Sequence, residues 1–159
     1  MKINSSHINK LARGALIAAL YAALTILLAP ISYGPVQCRV SEAFTLLPFY
    51  LPEAVPGLFI GCIFANFIGG YGLPDMVFGS LATLVAAFLT LKSGNIFVAA
   101  LWPVLSNMII IGTMLHYLIE APLVMTCIYV ALGELISCYV IGVPFMKLLE
   151  RKNIIAKND

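Results

Sequence analysis

The stretch YVALGELISCYVIG, residues 129–142, carries a single carboxylate, Glu134, inside an otherwise apolar run. Its reading depends on the medium around it. Across the whole chain 62% of residues are hydrophobic and only 10% charged, and the mean hydropathy is +1.02, a composition that cannot keep a surface in water. The run is therefore expected to be the middle of a membrane helix, and the protein an all-α integral membrane bundle.

A spanning helix needs about 20 mainly apolar residues, and Pro, Gly and the few charges divide the chain into six candidates, at residues 14–30, 42–52, 55–69, 75–91, 96–119 and 122–149. The second and third are short, which predicts a broken or steeply packed pair around LPEAVPG. No linker, charge block or low-complexity tract interrupts residues 1–159, so a single transmembrane domain is expected. Basic residues near helix ends stay on the cytoplasmic side. With six transmembrane helices and both termini cytoplasmic, Lys2, Lys10, Arg13, Lys92, Lys147, Arg151, Lys152 and Lys157 all fall inside, and only Arg39 of the nine Lys and Arg falls outside. Five spans would send the C-terminal cluster to the wrong face. The net charge of +2 is thus a topology signal, not a patch for nucleic acid. The basic start followed by ALIAALYAALTILLA resembles a signal peptide, but no A-x-A-like site follows and Pro30 interrupts, so a retained first helix is expected. Cys38, Cys62, Cys127 and Cys138 show no C-x-x-C spacing, which predicts neither a disulfide nor a metal site.

Small residues recur four apart in the first segment, at Ala15, Ala19 and Ala23 and, one position earlier, at Gly14, Ala18 and Ala22. Such stripes let another helix approach closely in lipid. Spacing alone leaves open whether that helix belongs to this chain or to a partner.

Glu134 lies about twelve residues into its segment, near the bilayer midplane at a rise of about 1.5 Å per residue. An ionised carboxylate facing lipid is disfavoured by several kcal/mol, so it needs a partner, a wet cavity or a proton. Ser137 and Cys138 share its face. The fifth segment supplies Trp102, Pro103, Ser106 and Asn107. Pro103 cannot donate to the carbonyl of Ala99, which leaves an acceptor free at depth. Trp102 is either an interfacial anchor or a stacking platform, and Asn107 either ties helices together or reads a heterocycle edge. His116 reads as an interfacial polar residue. On the outer side stand Gln37, Arg39 and Glu42 in SYGPVQCRVSEA, and Asn66 and Asp75 in NFIGGYGLPDMVFG. Ser41 and Glu42 fit ordinary helix-start chemistry, and Asp75 after Pro74 suits a helix N-terminus. Arg39 opposes the charge rule, which points to a pair with Glu42 or Asp75. Polar groups thus converge on the midplane and the outer face, describing a pocket open to the outside without a polar path to the cytoplasm, unlike a channel.

In this order, QCRVSEAFTLLPF, GLFIGCIFANFIGGYGLPDMVFGSLATLVAAFLT, WPVLSN and ALGELISCYVIG resemble the QueT family, over roughly residues 10–150. The family comprises substrate-binding S-components of energy-coupling factor (ECF) transporters, a class of ABC transporter complex for vitamin uptake. The resemblance implies a multi-pass subunit of the plasma membrane that captures a queuosine precursor, a small 7-deazaguanine, from outside. It further implies docking on a transmembrane coupling subunit that carries two cytoplasmic ATPase subunits, through an alanine stripe that maps to Ala15, Ala19 and Ala23. The chain itself is then no enzyme and needs no cofactor, in keeping with the absence of a G-x-x-x-x-G-K-[ST] loop. A deazaguanine presents a ring N–H beside an amine, and a carboxylate matches that pair of donors. Glu134 is the candidate for this role. Asp75 or Glu42 suits the ammonium of an aminomethyl ligand, Asn66 or Asn107 a nitrile, and Trp102 the ring face, with Gln37 and Arg39 nearby. The competing reading is a self-sufficient proton-coupled carrier of a nucleobase-like solute that uses Glu134 as its relay. Such carriers usually show two related halves, and none is visible here.

Overall fold

The computed structural model describes residues 5–33 and 37–156, which leaves Lys2 and Lys157 of the basic pattern outside the described residues. Among the described residues all regular structure is helical. Helix α1 spans Ser5–Leu27 and is followed by the single turn α2, Ala29–Ser32, which Pro30 opens. A 3-10 helix then covers Val40–Phe49. Next come α3 (Ala54–Ile68), α4 (Asp75–Leu91), α5 (Ile96–Ile119) and α6 (Leu123–Arg151). Helix α4 begins with a π turn at Asp75–Gly79, and α6 contains a π stretch at Ile136–Gly142.

Three of these helices, α1, α5 and α6, are long and apolar enough to cross a membrane, whereas Val40–Phe49, Ala54–Ile68 and Asp75–Leu91 are shorter apolar helices. Large apolar side chains stand in the open on their outer faces, Leu11 at 77% and Phe67 at 76% exposure among them. A water-soluble domain does not carry such a belt; lipid accepts it.

The bounds of α4 and α5 coincide with the apolar segments read from the sequence. Asn95 caps α5, its side chain accepting from the Phe97 N–H, as Asn does at helix starts. Helix α1 starts nine residues earlier than residue 14 because its first turns are polar and leave no apolar signal. The second segment departs most: it is a ten-residue 3-10 helix containing Pro48, a longer run than this geometry usually sustains. Burial holds it, since Ser41, Glu42, Ala43, Thr45, Leu46, Leu47 and Pro48 are all inside.

The two stripes of small residues on α1 divide their work. A Cβ at Gly57 would meet the Gly14 carbonyl oxygen at 2.5 Å, and one at Gly61 the Ala18 carbonyl oxygen at 2.7 Å. Gly14 and Ala18 are thus where α1 and α3 touch backbone to backbone, while Ala15, Ala19 and Ala23 remain exposed. On the far side of the bundle the carbonyl released by Pro103 is taken up: the Thr90 hydroxyl of α4 donates to Ala99 O at 3.1 Å. That bond ties α4 to α5 at the point where the α5 ladder is broken.

Candidate functional site

The interior is polar at its centre. Helix α1 buries Gly14, Ile17, Tyr21 and Thr25, one face at helical spacing, and so aims a phenol and a hydroxyl at the start of the 3-10 helix. Tyr21 donates its hydroxyl to Oε1 of Glu42. The same oxygen accepts from Thr83 Oγ1 of α4 at 3.4 Å, and Thr25 Oγ1 lies 2.6 Å from Ser41 Oγ. Glu42 is fully buried, and its backbone is fixed as well: its carbonyl oxygen accepts from Thr45 Oγ1 at 2.6 Å and from Cys138 Sγ at 3.7 Å.

Cys138 links this residue to Glu134. Its thiol also lies 3.7 Å from Glu134 Oε2, so both acids flank one side chain. The π stretch that begins directly after Leu135 carries Ser137 and Cys138 inward, and π bulges of this kind recur at functional sites. Cys62 of α3 forms a second hub, with Tyr21 Oη at 3.7 Å, Thr83 Oγ1 at 3.3 Å and Asn66 Nδ2 at 3.3 Å around its sulfur.

Among the described residues four buried side-chain polar atoms have no hydrogen-bond partner: Ser32 Oγ, Gln37 Nε2, Glu42 Oε2 and Asn107 Nδ2. Asn107 of α5 is buried, as Glu42 is. Unpaired buried polar atoms are costly, about 1–3 kcal/mol each, and native interiors keep few of them. Of the four, Glu42 Oε2 belongs to the cluster of Tyr21, Thr83 and Cys138 just described.

Around Arg39 and Asp75 the polar groups satisfy one another. Arg39 Nη2 lies 3.1 and 3.2 Å from the two Asp75 oxygens, its Nε donates to Ser32 O at 3.4 Å, and its guanidinium sits 5.0 Å from the Tyr33 ring centre. Asn66 donates to Asp75 O at 3.0 Å, and Tyr33 donates to Ala65 O at 2.7 Å. Gly70, at φ 99°, leaves room that any Cβ would take from the Asp75 carboxylate. Arg39 has thus found Asp75, one of the two acids its position in the sequence called for.

The QueT transporter family matches residues 11–151. The chain belongs to that family. A protein of Lactococcus lactis subsp. cremoris (strain MG1363) described as the queuosine precursor transporter QueT is 30% identical over 158 residues, covering 88% of this chain and 92% of its own length. No solved structure matches. Membership in the QueT family makes this a transport protein, and its long apolar helices suit it to a membrane.

Of the residues singled out in the sequence, Glu134, Glu42, Asn107, Gln37, Arg39, Asp75 and Asn66 are all buried; Cys138 joins Glu42 to Glu134, and Arg39 and Asn66 both bond to Asp75. The fold does not bring Trp102 to them. The indole of Trp102 donates to Ser93 Oγ at 3.0 Å, in the α4–α5 turn, at the end of α4 opposite Asp75. Tyr21, Thr83 and Cys62 belong to the cluster and were not singled out. Tyr21 lies on the buried face with Gly14, Ile17 and Thr25, among apolar and small neighbours that leave no polar signal in the sequence. Ala15 and Ala19 line a groove of about 640 Å³ between α1 and α3, with Lys10 and Phe64 also on its walls.

Proposed function

We propose that this chain is the substrate-binding subunit of an ECF-type transporter that captures a queuosine precursor of the 7-deazaguanine type. On this reading it is a multi-pass protein of the plasma membrane with six spanning segments and both termini cytoplasmic. Two of the six fall short of a full span: ten residues of 3-10 helix extend about 20 Å at about 2.0 Å per residue, and the 15 residues of α3 about 22 Å, against a hydrocarbon core of about 30 Å, a mismatch that local thinning of the bilayer accommodates. ATP is hydrolysed by two cytoplasmic ATPase subunits held by a transmembrane coupling subunit, and this chain contributes recognition. The exposed line Ala15, Ala19 and Ala23, with no side chain beyond a methyl, is the surface offered to the coupling subunit.

The observation that carries the ligand reading is Glu42, buried with one carboxyl oxygen unpaired and joined through Cys138 to a second buried acid, Glu134, on another helix. Arg39 is already matched by Asp75, so Glu42 and Glu134 form an excess of acceptors, which suits a flat ligand rich in N–H donors. Asn107 and Gln37 supply buried donors. Arg39, Asp75 and Asn66 form the wall toward the outside. The relative's printed substrate agrees with this chemistry.

Calorimetry on the purified protein with guanine, 7-deazaguanine and the 7-cyano and 7-aminomethyl forms tests the reading. Binding of a 7-deazaguanine is expected, as is loss of most affinity in Glu134→Gln with the fold retained; unchanged affinity reassigns Glu134 to helix packing. Uptake into vesicles separates this from a self-sufficient proton-coupled carrier: the chain alone is expected to bind without concentrating the ligand, and accumulation to require the coupling partners and ATP.

A further inference from the structure

We propose that Glu42 is the charge-reading residue of the site: its open carboxyl oxygen seats a cationic group of the ligand, a primary ammonium, for which the buried interior holds no other free counter-charge. The proposal rests on the reading of the Glu42–Glu134 cluster as the ligand site and adds to it which acid meets the ligand's charge.

The groups around Glu42 are uncharged. Tyr21 of α1 and Thr83 of α4 give hydroxyls to Oε1, the thiol of Cys138 reaches the backbone carbonyl, and the thiol of Cys62 lies beyond Tyr21 and Thr83. Oε2 is buried and takes nothing. Among the described residues the one buried cation is Arg39, three residues before Glu42, whose N–H donates to the Arg39 carbonyl at 2.9 Å. Its guanidinium nonetheless turns away, to both oxygens of Asp75, to Ser32 O and to the Tyr33 ring. Asp75, the other acid that suits an ammonium by sequence, is therefore already matched, and Glu42 is not. A carboxyl at this depth is stabilised by a positive partner far more than by further neutral donors. An ammonium also fits an acid with one oxygen occupied, because it is a compact charge that needs a single acceptor, unlike a guanidinium with its paired donors.

The test is calorimetry near neutral pH with 7-aminomethyl-7-deazaguanine and 7-hydroxymethyl-7-deazaguanine, which have nearly the same shape and differ in charge, since an alkylammonium stays protonated there as that of lysine does. The native protein is expected to prefer the aminomethyl compound by at least about tenfold, the difference between a charge-assisted and a neutral hydrogen bond. Glu42→Gln keeps the acceptor for Tyr21 and removes the charge; the preference is expected to collapse toward unity, with affinity for the hydroxymethyl compound little changed. Glu134→Gln is expected to weaken both compounds alike and to leave their ratio standing. A ratio preserved in Glu42→Gln, or lost in Glu134→Gln instead, overturns the proposal while leaving the binding site in place. Equal affinities in the native protein overturn it as well, and that result is read without any variant, so it holds even where Glu42→Gln fails to fold. Failure of the native protein to bind either compound or 7-deazaguanine itself removes the site reading and this proposal with it.

Discussion

Replacing either member of the Arg39–Asp75 pair alone is expected to cost far more than replacing both. The charges lie 3.1 Å apart with side chains 4% and 0% exposed. At an effective dielectric constant of about 20 their attraction is about 5 kcal/mol, offset by desolvation of both groups. Removing one partner abandons the other charge in the interior, which typically costs about 3–5 kcal/mol, whereas apolar replacement of both is often close to neutral. Arg39→Met and Asp75→Leu are each expected to lower the melting temperature by roughly 6–20 °C, at about 2–4 °C per kcal/mol for a chain of this size. The double variant is expected to regain at least half of the larger loss; it does not regain all, because Arg39 also donates to Ser32 O and lies against Tyr33. Thermal unfolding in detergent, followed through Trp102, the single tryptophan, reads this from the far end of α4. Additive losses in the double variant would refute the reasoning, because a buried pair must show coupling.

Gly57→Ala pushes a methyl against the Gly14 carbonyl, 2.5 Å from the position of the new Cβ, and is expected to destabilise by about 1–3 kcal/mol through forced separation of α1 and α3; a melting temperature equal to that of the native protein counts against the close contact. Trp102→Phe removes the bond to Ser93 and is expected to leave ligand affinity unchanged in calorimetry while costing about 1 kcal/mol of stability; a large loss of affinity would return Trp102 to the site. Ala19→Leu fills the exposed stripe and is expected to leave melting and ligand binding unaltered but to abolish ATP-driven uptake in vesicles with the partners, whereas persistent uptake places docking elsewhere.

Where composition and punctuation act locally, the fold could be read from the chain. The bounds read for α4 and α5 from Pro, Gly and the few charges match the structure, where Asn95 caps α5. The free carbonyl opposite Pro103 was foreseeable because proline always releases it, but its acceptance by Thr90 is a tertiary fact. The 3-10 geometry of Val40–Phe49 and the π stretch at Ile136–Gly142 left no such trace, since both depend on what surrounds the segment. Glu42 shows the limit best. Beside Ser41 it fits a helix start, yet the fold sinks it to zero exposure and hands one oxygen to Tyr21. Tyr21 itself, set among alanines, carries no polar neighbour in sequence to mark it.

The position of Tyr21 on α1 links two surfaces that sequence order keeps on one helix and geometry sets apart. Two residues along an α-helix turn the side chain by about 200°, so Ala19 and Ala23 face away from Tyr21, outward where it faces inward. The inward face grips the start of the 3-10 helix twice, Tyr21 on Glu42 and Thr25 on Ser41, and the Gly14–Gly57 and Ala18–Gly61 contacts leave no slack between α1 and α3. On the proposed reading, a partner seated on the outward alanines can tilt α1 only by moving Tyr21 against Glu42. Any docking that shifts α1 must then change ligand affinity, and by linkage the ligand must change docking by the same factor. On the same reading α1, gripped on one face and open on the other, connects the docking surface to Glu42.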